Sequence, residues 1–246
     1  MNRGTIRGLI RKRLGDAGGA FWTDTELNNI INYGCNDISY RTKCLRTNGY
    51  LTSVSCVSST ASLASNEYNL SNNFTNIYSV EETYFLQDGT DWARLEPTTR
   101  GELDRETPGW RTLVGITSLN ATTGVTTYNY GSNPGTPSKY YWSREENILG
   151  LYPPPDATNA GSNYIRVYYA YKHTEMTLDN DVPTIPEPLH LAIVDFGVAT
   201  GQEDRGWGDK ANDSWQKYFA KLNDYQVERR KERTDDDVIM VSYRNL

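Results

Sequence analysis

Nothing in the 246 residues amounts to a catalytic signature. There is no phosphate loop of the GxxxxGK[ST] kind and no GxGxxG after a strand, which removes two common nucleotide-cradling turns. HExxH, CxxC and GxSxG are absent as well. His173 and His190 have no Ser or Cys nucleophile at motif spacing. Cysteine is scarce, and Cys35, Cys44 and Cys56 form no metal pattern. Their odd number, the lack of a signal peptide and the rarity of histidine fit a reducing compartment. Cys35 falls on the apolar face of a helix, where a free thiol packs as a small hydrophobe. No apolar run approaches the roughly 20 residues of a membrane span. A net charge of −6 disfavours non-specific nucleic-acid binding.

Acidic groups are plentiful but not arranged for chemistry. Asp179 and Asp181 resemble the start of a calcium loop, yet the sixth position is Thr184 rather than Gly and the twelfth offers no bidentate Glu. Glu81/Glu82 and Glu145/Glu146 read as solvated strand ends or turns. The expectation is a protein that is not an enzyme, with no catalytic residues, no cofactor and no metal.

What is present is polar and aromatic. Hydrophobic residues make up only 37% of the chain, and 18 tyrosines with many Thr, Ser and Asn suit exposed strands and wet contacts. Residues 5–15 form an amphipathic helix with Ile6, Leu9, Ile10 and Leu14 on one face. Arg3, Arg7 and Arg11 recur every four residues and read as a solvated or partner-facing basic stripe. A second helix opens on the capping box Thr23/Glu26, with Trp22 and Leu27 in the staple positions, and runs to about Leu45.

From Tyr50 to about Lys172 the hydrophobic period changes to two. Tyr78, Val80, Tyr84 and Leu86 alternate before the turn Asp88–Gly89, and Thr99/Glu102 cap a short helix that Pro108 stops. Tyr140 to Trp142 and Ile148 to Tyr152 make a hairpin, and Ile165, Val167, Tyr169 and Tyr171 share one face of the last strand. Helix returns near Pro188 with an almost wholly apolar run through Ala199. A Gly/Asp break then precedes a longer helix with Ala211, Trp215, Tyr218, Phe219, Leu222 and Tyr225 as its stripe.

Each terminal helix pair exposes an apolar face, so the two are expected to pack together. The expected fold is α+β. Residues 1–47 and 186–233 form a helical bundle, 48–185 an inserted antiparallel β-sandwich or barrel-like domain, and 234–246 an extended C-terminal tail. That tail places Asp235, Asp236 and Asp237 before a strand-like run. Its residues Val238, Ile239, Met240, Val241 and Tyr243 invite aggregation if left free; the segment either folds back on its own subunit or adds itself to another chain, and docking on a partner is the expectation.

The blocks FWTDTELNNIINYGCNDI, YYWSREENILGLYPPP, YIRVYYAYK, DVPTIPEPLHLAIVDFGVA and WQKYFAKLNDYQVERR occur in an order that resembles the head-to-tail adaptor (connector) proteins of tailed bacteriophages, especially the short-tailed kind. The resemblance implies a virion protein of the tail neck, assembled in the host cytoplasm as a homo-oligomeric ring, commonly twelve-fold. Such a ring sits below the portal, bridges it to the tail nozzle and often supports tail fibres. Genome DNA passes through its lumen without specific binding. It also implies that the C-terminal extension reaches into the portal. Because a DNA conduit is usually acidic, Arg3, Arg7 and Arg11 are expected to face a protein neighbour. Two other readings stand beside it: a fibre-associated or carbohydrate-binding β module, and a peptidoglycan hydrolase, for which no carboxylate pair stands out.

Overall fold

The computed structural model describes residues 1–52, 54, 67–87, 89–107, 113–119, 126–130, 135–155, 159 and 161–243. Cys56, Asp88 and Pro108 lie outside the described residues. The architecture is α+β. In chain order, α1 (Arg3–Leu14) and α2 (Asp24–Thr42) lead into β1 (Arg46–Tyr50), β2 (Glu67–Asn69), β3 (Ile77–Gln87), β4 (Asp91–Arg94) and β5 (Glu96–Pro97). After α3 (Arg100–Glu106) come β6 (Leu113–Leu119), β7 (Thr126–Tyr130), β8 (Lys139–Ser143), β9 (Ile148–Tyr152) and β10 (Ile165–Tyr171). Two helices finish the chain, α4 (His190–Asp204) and α5 (Gly208–Tyr243). These elements divide into two compact units, residues 1–45 with 172–246 and residues 46–171.

In the helical unit, local signals set the helix ends. Asn2 accepts from the Thr5 amide to cap α1, and Gly15 closes it in the left-handed region at φ 69°. Thr23 and Glu26 form both halves of the capping box on α2, at 3.2 and 2.8 Å. Helix α4 packs against α1, α2 and α5, and two of its glycines allow close approach to α1. A Cβ on Gly197 would sit 2.5 Å from Ile10 Cδ1, and one on Gly201 would sit 2.8 Å from Leu14 Cδ1. The core between these helices includes Ile6, Ile10, Leu27, Ile31, Ile193 and Tyr218, all buried.

Residues 172–185, included in the expected inserted domain 48–185, cluster with the helical unit. Asn32 explains this: its side chain donates to Met176 O at 3.2 Å and accepts from the Met176 amide at 3.1 Å. That pair of bonds seats Met176, only 4% exposed, in the helical core.

In the β unit the first sheet has the order β1-β10-β3-β4 and is antiparallel throughout. The second has the order β2-β9-β8-β5, with the β8–β9 hairpin at its centre and one parallel pair, β5 with β8. Strands β6 and β7 form a separate ribbon. Phe85, Ile165 and Val167 from the first sheet join Tyr140, Leu149 and Leu151 from the second in one core. Helix α3 starts on the capping box Thr99/Glu102 and buries Leu103 against Tyr141.

Helix α5 departs from expectation. It is one continuous helix through Tyr243, so Asp235 to Asp237 do not interrupt it and residues 238–243 are helical rather than extended. Once a helix is nucleated each added residue costs little, and the β-branched composition of Val238 to Val241 is too weak a preference to stop it.

Candidate interaction surfaces

The spacing of Arg3, Arg7 and Arg11 puts them on one side of α1, and that side meets carboxylates and carbonyls of the same chain. Arg3 donates to Met176 O (2.8 Å) and Thr177 O (2.7 Å) and reaches Asp179 Oδ1 at 3.1 Å. Arg7 grips both oxygens of Asp179 at 2.8 and 2.7 Å and donates to Asn28 Oδ1 at 3.0 Å. Arg11 bridges Asp16 at 3.1 Å and Asp24 at 2.7 Å. The three side chains are only 9, 15 and 13% exposed. The partner-facing stripe is thus corrected to an internal clamp, because guanidinium groups this shielded need counter-charges close by. Hydrogen bonds from Arg7 and Arg3 hold the Asp179 carboxyl below its usual range, and the same Arg7 contact raises the arginine.

This clamp also accounts for the calcium-like loop. Asp179 is occupied by arginines, and Asp181 Oδ2 accepts the amides of Thr177 and Leu178, each at 2.7 Å. Those two N–H groups hold the Asp181 carboxyl below its usual range. Among the described residues, no group of three or more His, Cys, Asp or Glu side chains is placed to hold a metal ion. Glu81, Glu82 and Glu146 each pair with an arginine: Arg46 at 3.0 Å, Arg94 at 3.2 Å and Arg100 at 2.6 Å.

The buried titratable groups are structural. His173 shares a 2.7 Å hydrogen bond between Nδ1 and Thr184 Oγ1, and burial pushes its pKa down to about 4. His190 Nε2 lies 2.9 Å from Ile185 O, and burial lowers this imidazole too. Burial pushes the Cys35 thiol up to about 12, away from the thiolate that reactivity needs. Asp195 escaped the sequence reading, although a lone acid in the apolar run Ala192 to Phe196 was the available signal. It is 2% exposed and pairs with Arg13 Nη1 at 2.5 Å and with Lys221 Nζ.

The C-terminal candidates Val238, Ile239, Met240, Val241 and Tyr243 lie on α5, and their side chains are outside the described residues. Upstream, α5 is tied to its own unit by Gln226 Nε2 on Arg41 O at 3.0 Å and by Arg229 Nη1 on Lys43 O at 3.0 Å. From Arg230 to Tyr243 the helix continues for about 20 Å at 1.5 Å per residue. Among the described residues, no helix is long and apolar enough to cross a membrane.

A family model described as SU10 adaptor protein matches residues 1–240, nearly the whole chain and both units. No curated protein matches the chain.

Proposed function

The chain belongs to the SU10 adaptor protein family, and we propose that it is a structural protein of a phage virion that joins the portal to the tail nozzle. In this reading the chain assembles as a ring, twelve-fold in the form the resemblance implies, and leaves a central channel for the genome. The family match over residues 1–240 carries the proposal. Charge supports it: twelve copies of a chain with net charge −6 make a strongly negative ring, which keeps a polyanion from sticking. Assembly takes place in the host cytoplasm, and tail fibres are further candidate partners.

The portal contact is assigned to the C-terminal end of α5, with Val238, Ile239, Met240, Val241 and Tyr243 as the docking residues. The continuation of α5 beyond Arg229 supports docking as a helix laid in a groove rather than as an added strand. Purified full chain mixed with its portal and imaged by electron microscopy tests the assembly: stacked rings sharing a channel are expected. Deletion of residues 235–246 should leave a folded protein that no longer attaches. Attachment by the truncated chain, or its failure to fold, would remove the docking assignment. An intact portal that binds no full-length chain would remove the adaptor role itself.

A further inference from the structure

The sheet ordered β1-β10-β3-β4 turns Phe85, Ile165 and Val167 to its core and a row of aromatic and charged side chains to the other face, where the Glu82 carboxylate is held by Tyr84 and Arg94. Tyr50 lies opposite Arg166, Arg166 opposite Tyr84, and Tyr84 opposite Arg94, so the row crosses all four strands. Arg166 is its centre. The guanidinium lies over the Tyr168 ring, 4.9 Å from the centroid, and over Tyr50 at 5.7 Å. Its Nε donates to Asn48 Oδ1 at 3.1 Å, which restrains the plane of the group, and its Nη atoms make no hydrogen bond among the described residues. Tyr84 meets Tyr168 edge-on at 5.6 Å, and Tyr50 meets Trp92 at 5.8 Å.

Two observations separate this face from an ordinary sheet surface. Tyr50 and Trp92 remain 41% and 39% exposed although they touch one another, so large apolar rings are left open at one place. Neighbouring arginines of the same sheet have carboxylates, Arg46 with Glu81 and Arg94 with Glu82, whereas Arg166 has none among the described residues. A guanidinium held flat by two rings and an amide, with its Nη edge unpaired among the described residues, is organised in advance for a carboxylate.

We propose that this face docks an acidic protein segment, whose carboxylate closes on the Nη edge of Arg166 while its apolar flank covers Tyr50 and Trp92. Tyr, Trp and Arg are the residues that dominate binding energy at protein interfaces. The net charge of −6 makes the rest of the chain repel such a partner, so the unpaired cation defines where it can settle. The proposal stands apart from the portal contact, which involves α5.

The test uses the full chain and an array of short synthetic peptides centred on Asp–Glu with Leu or Tyr flanks. Lys-for-acid counterparts, inorganic phosphate and chitin oligosaccharides serve as competing probes. Acidic peptides should bind and protect amides of β1, β3 and β10 from hydrogen exchange. Their binding should weaken with salt and fall by about tenfold or more in Arg166→Gln, at unchanged melting temperature. Arg166→Lys, which keeps the charge but not the planar fork, should lose most of the same binding. Acidic peptides that bind no better than the Lys counterparts, or equally well to Arg166→Gln, would overturn the proposal. Oligosaccharide binding that protects these same strands, in place of peptide binding, would overturn it as well and assign the face to sugar.

Discussion

Taking both cations away from Asp195 leaves a carboxylate that is 2% exposed with no counter-charge. Arg13→Met with Lys221→Met keeps the aliphatic stems and removes only the charged heads. A buried charge stripped of its partners costs about 3–5 kcal/mol, so the double variant should lose that much stability. Asp195→Asn is a milder change. It leaves Arg13 and Lys221, whose side chains are 45% and 34% exposed and can turn to water, and should cost about 1–2 kcal/mol. The two perturbations are also coupled: Asp195→Asn introduced into the double variant should restore at least about 1 kcal/mol, because the orphaned charge is gone. Denaturant-dependent hydrogen exchange at the α4 amides reads these differences within the helical unit. Equal costs for Asp195→Asn and the double variant, or no recovery in the triple, would refute the assignment of this site to charge burial.

Arg3→Met removes a charged donor from Met176 O and Thr177 O and should open the 176–181 segment by about 2–3 kcal/mol. Faster exchange of the residue 3 and Gly4 amides, which donate to Asp181 O and Asp179 O, reports it; unchanged protection would count against the clamp. Burial holds His173 at about 4 while an unfolded imidazole titrates near ~6.5, so the unfolded chain takes up a proton that the folded chain refuses. Stability is therefore full above pH ~6.5 and falls by roughly 3 kcal/mol as the pH drops toward 4, a slope His173→Gln should remove; parallel wild-type and variant profiles across that window would contradict it. Gly150→Ala would put a Cβ 2.0 Å from Tyr141 Cζ, a ring held by Glu67 at 2.5 Å, and should destabilise the β unit by about 3 kcal/mol. Tyr141→Leu in the same chain should recover part of that loss in an unfolding titration; no recovery would place the cost elsewhere.

What the sequence disclosed follows the range of the interactions involved. The capping boxes at Thr23/Glu26 and Thr99/Glu102 and the β8–β9 hairpin depend on residues a few positions apart, and they stand where the pattern puts them. The arginine repeat shows the opposite case. Spacing of four establishes that Arg3, Arg7 and Arg11 share a face, but Asp179 lies 176 and 172 positions beyond Arg3 and Arg7, so nothing local says what that face meets. The aromatic face of the first sheet was hidden for the same reason. Tyr50 and Arg166 become neighbours only because β1 pairs with β10 across the whole inserted unit. At the C-terminus, composition pointed to a strand, and propagation of an existing helix outweighed it.

The proposed portal contact and the proposed acidic-segment contact draw on different units, residues 172–246 for α5 and 46–171 for the sheet. Each unit has its own buried core, so damage to one surface need not pass to the other. Arg166→Gln should therefore attach to the portal as wild type does while losing acidic peptides, and the chain lacking 235–246 should show the reverse. Measured side by side on the same preparations, the two losses should be separable to within about 0.5 kcal/mol of binding energy. If removing 235–246 weakens peptide binding tenfold, or Arg166→Gln abolishes portal attachment, the surfaces act as one, and the separate assignment of the two partners is wrong.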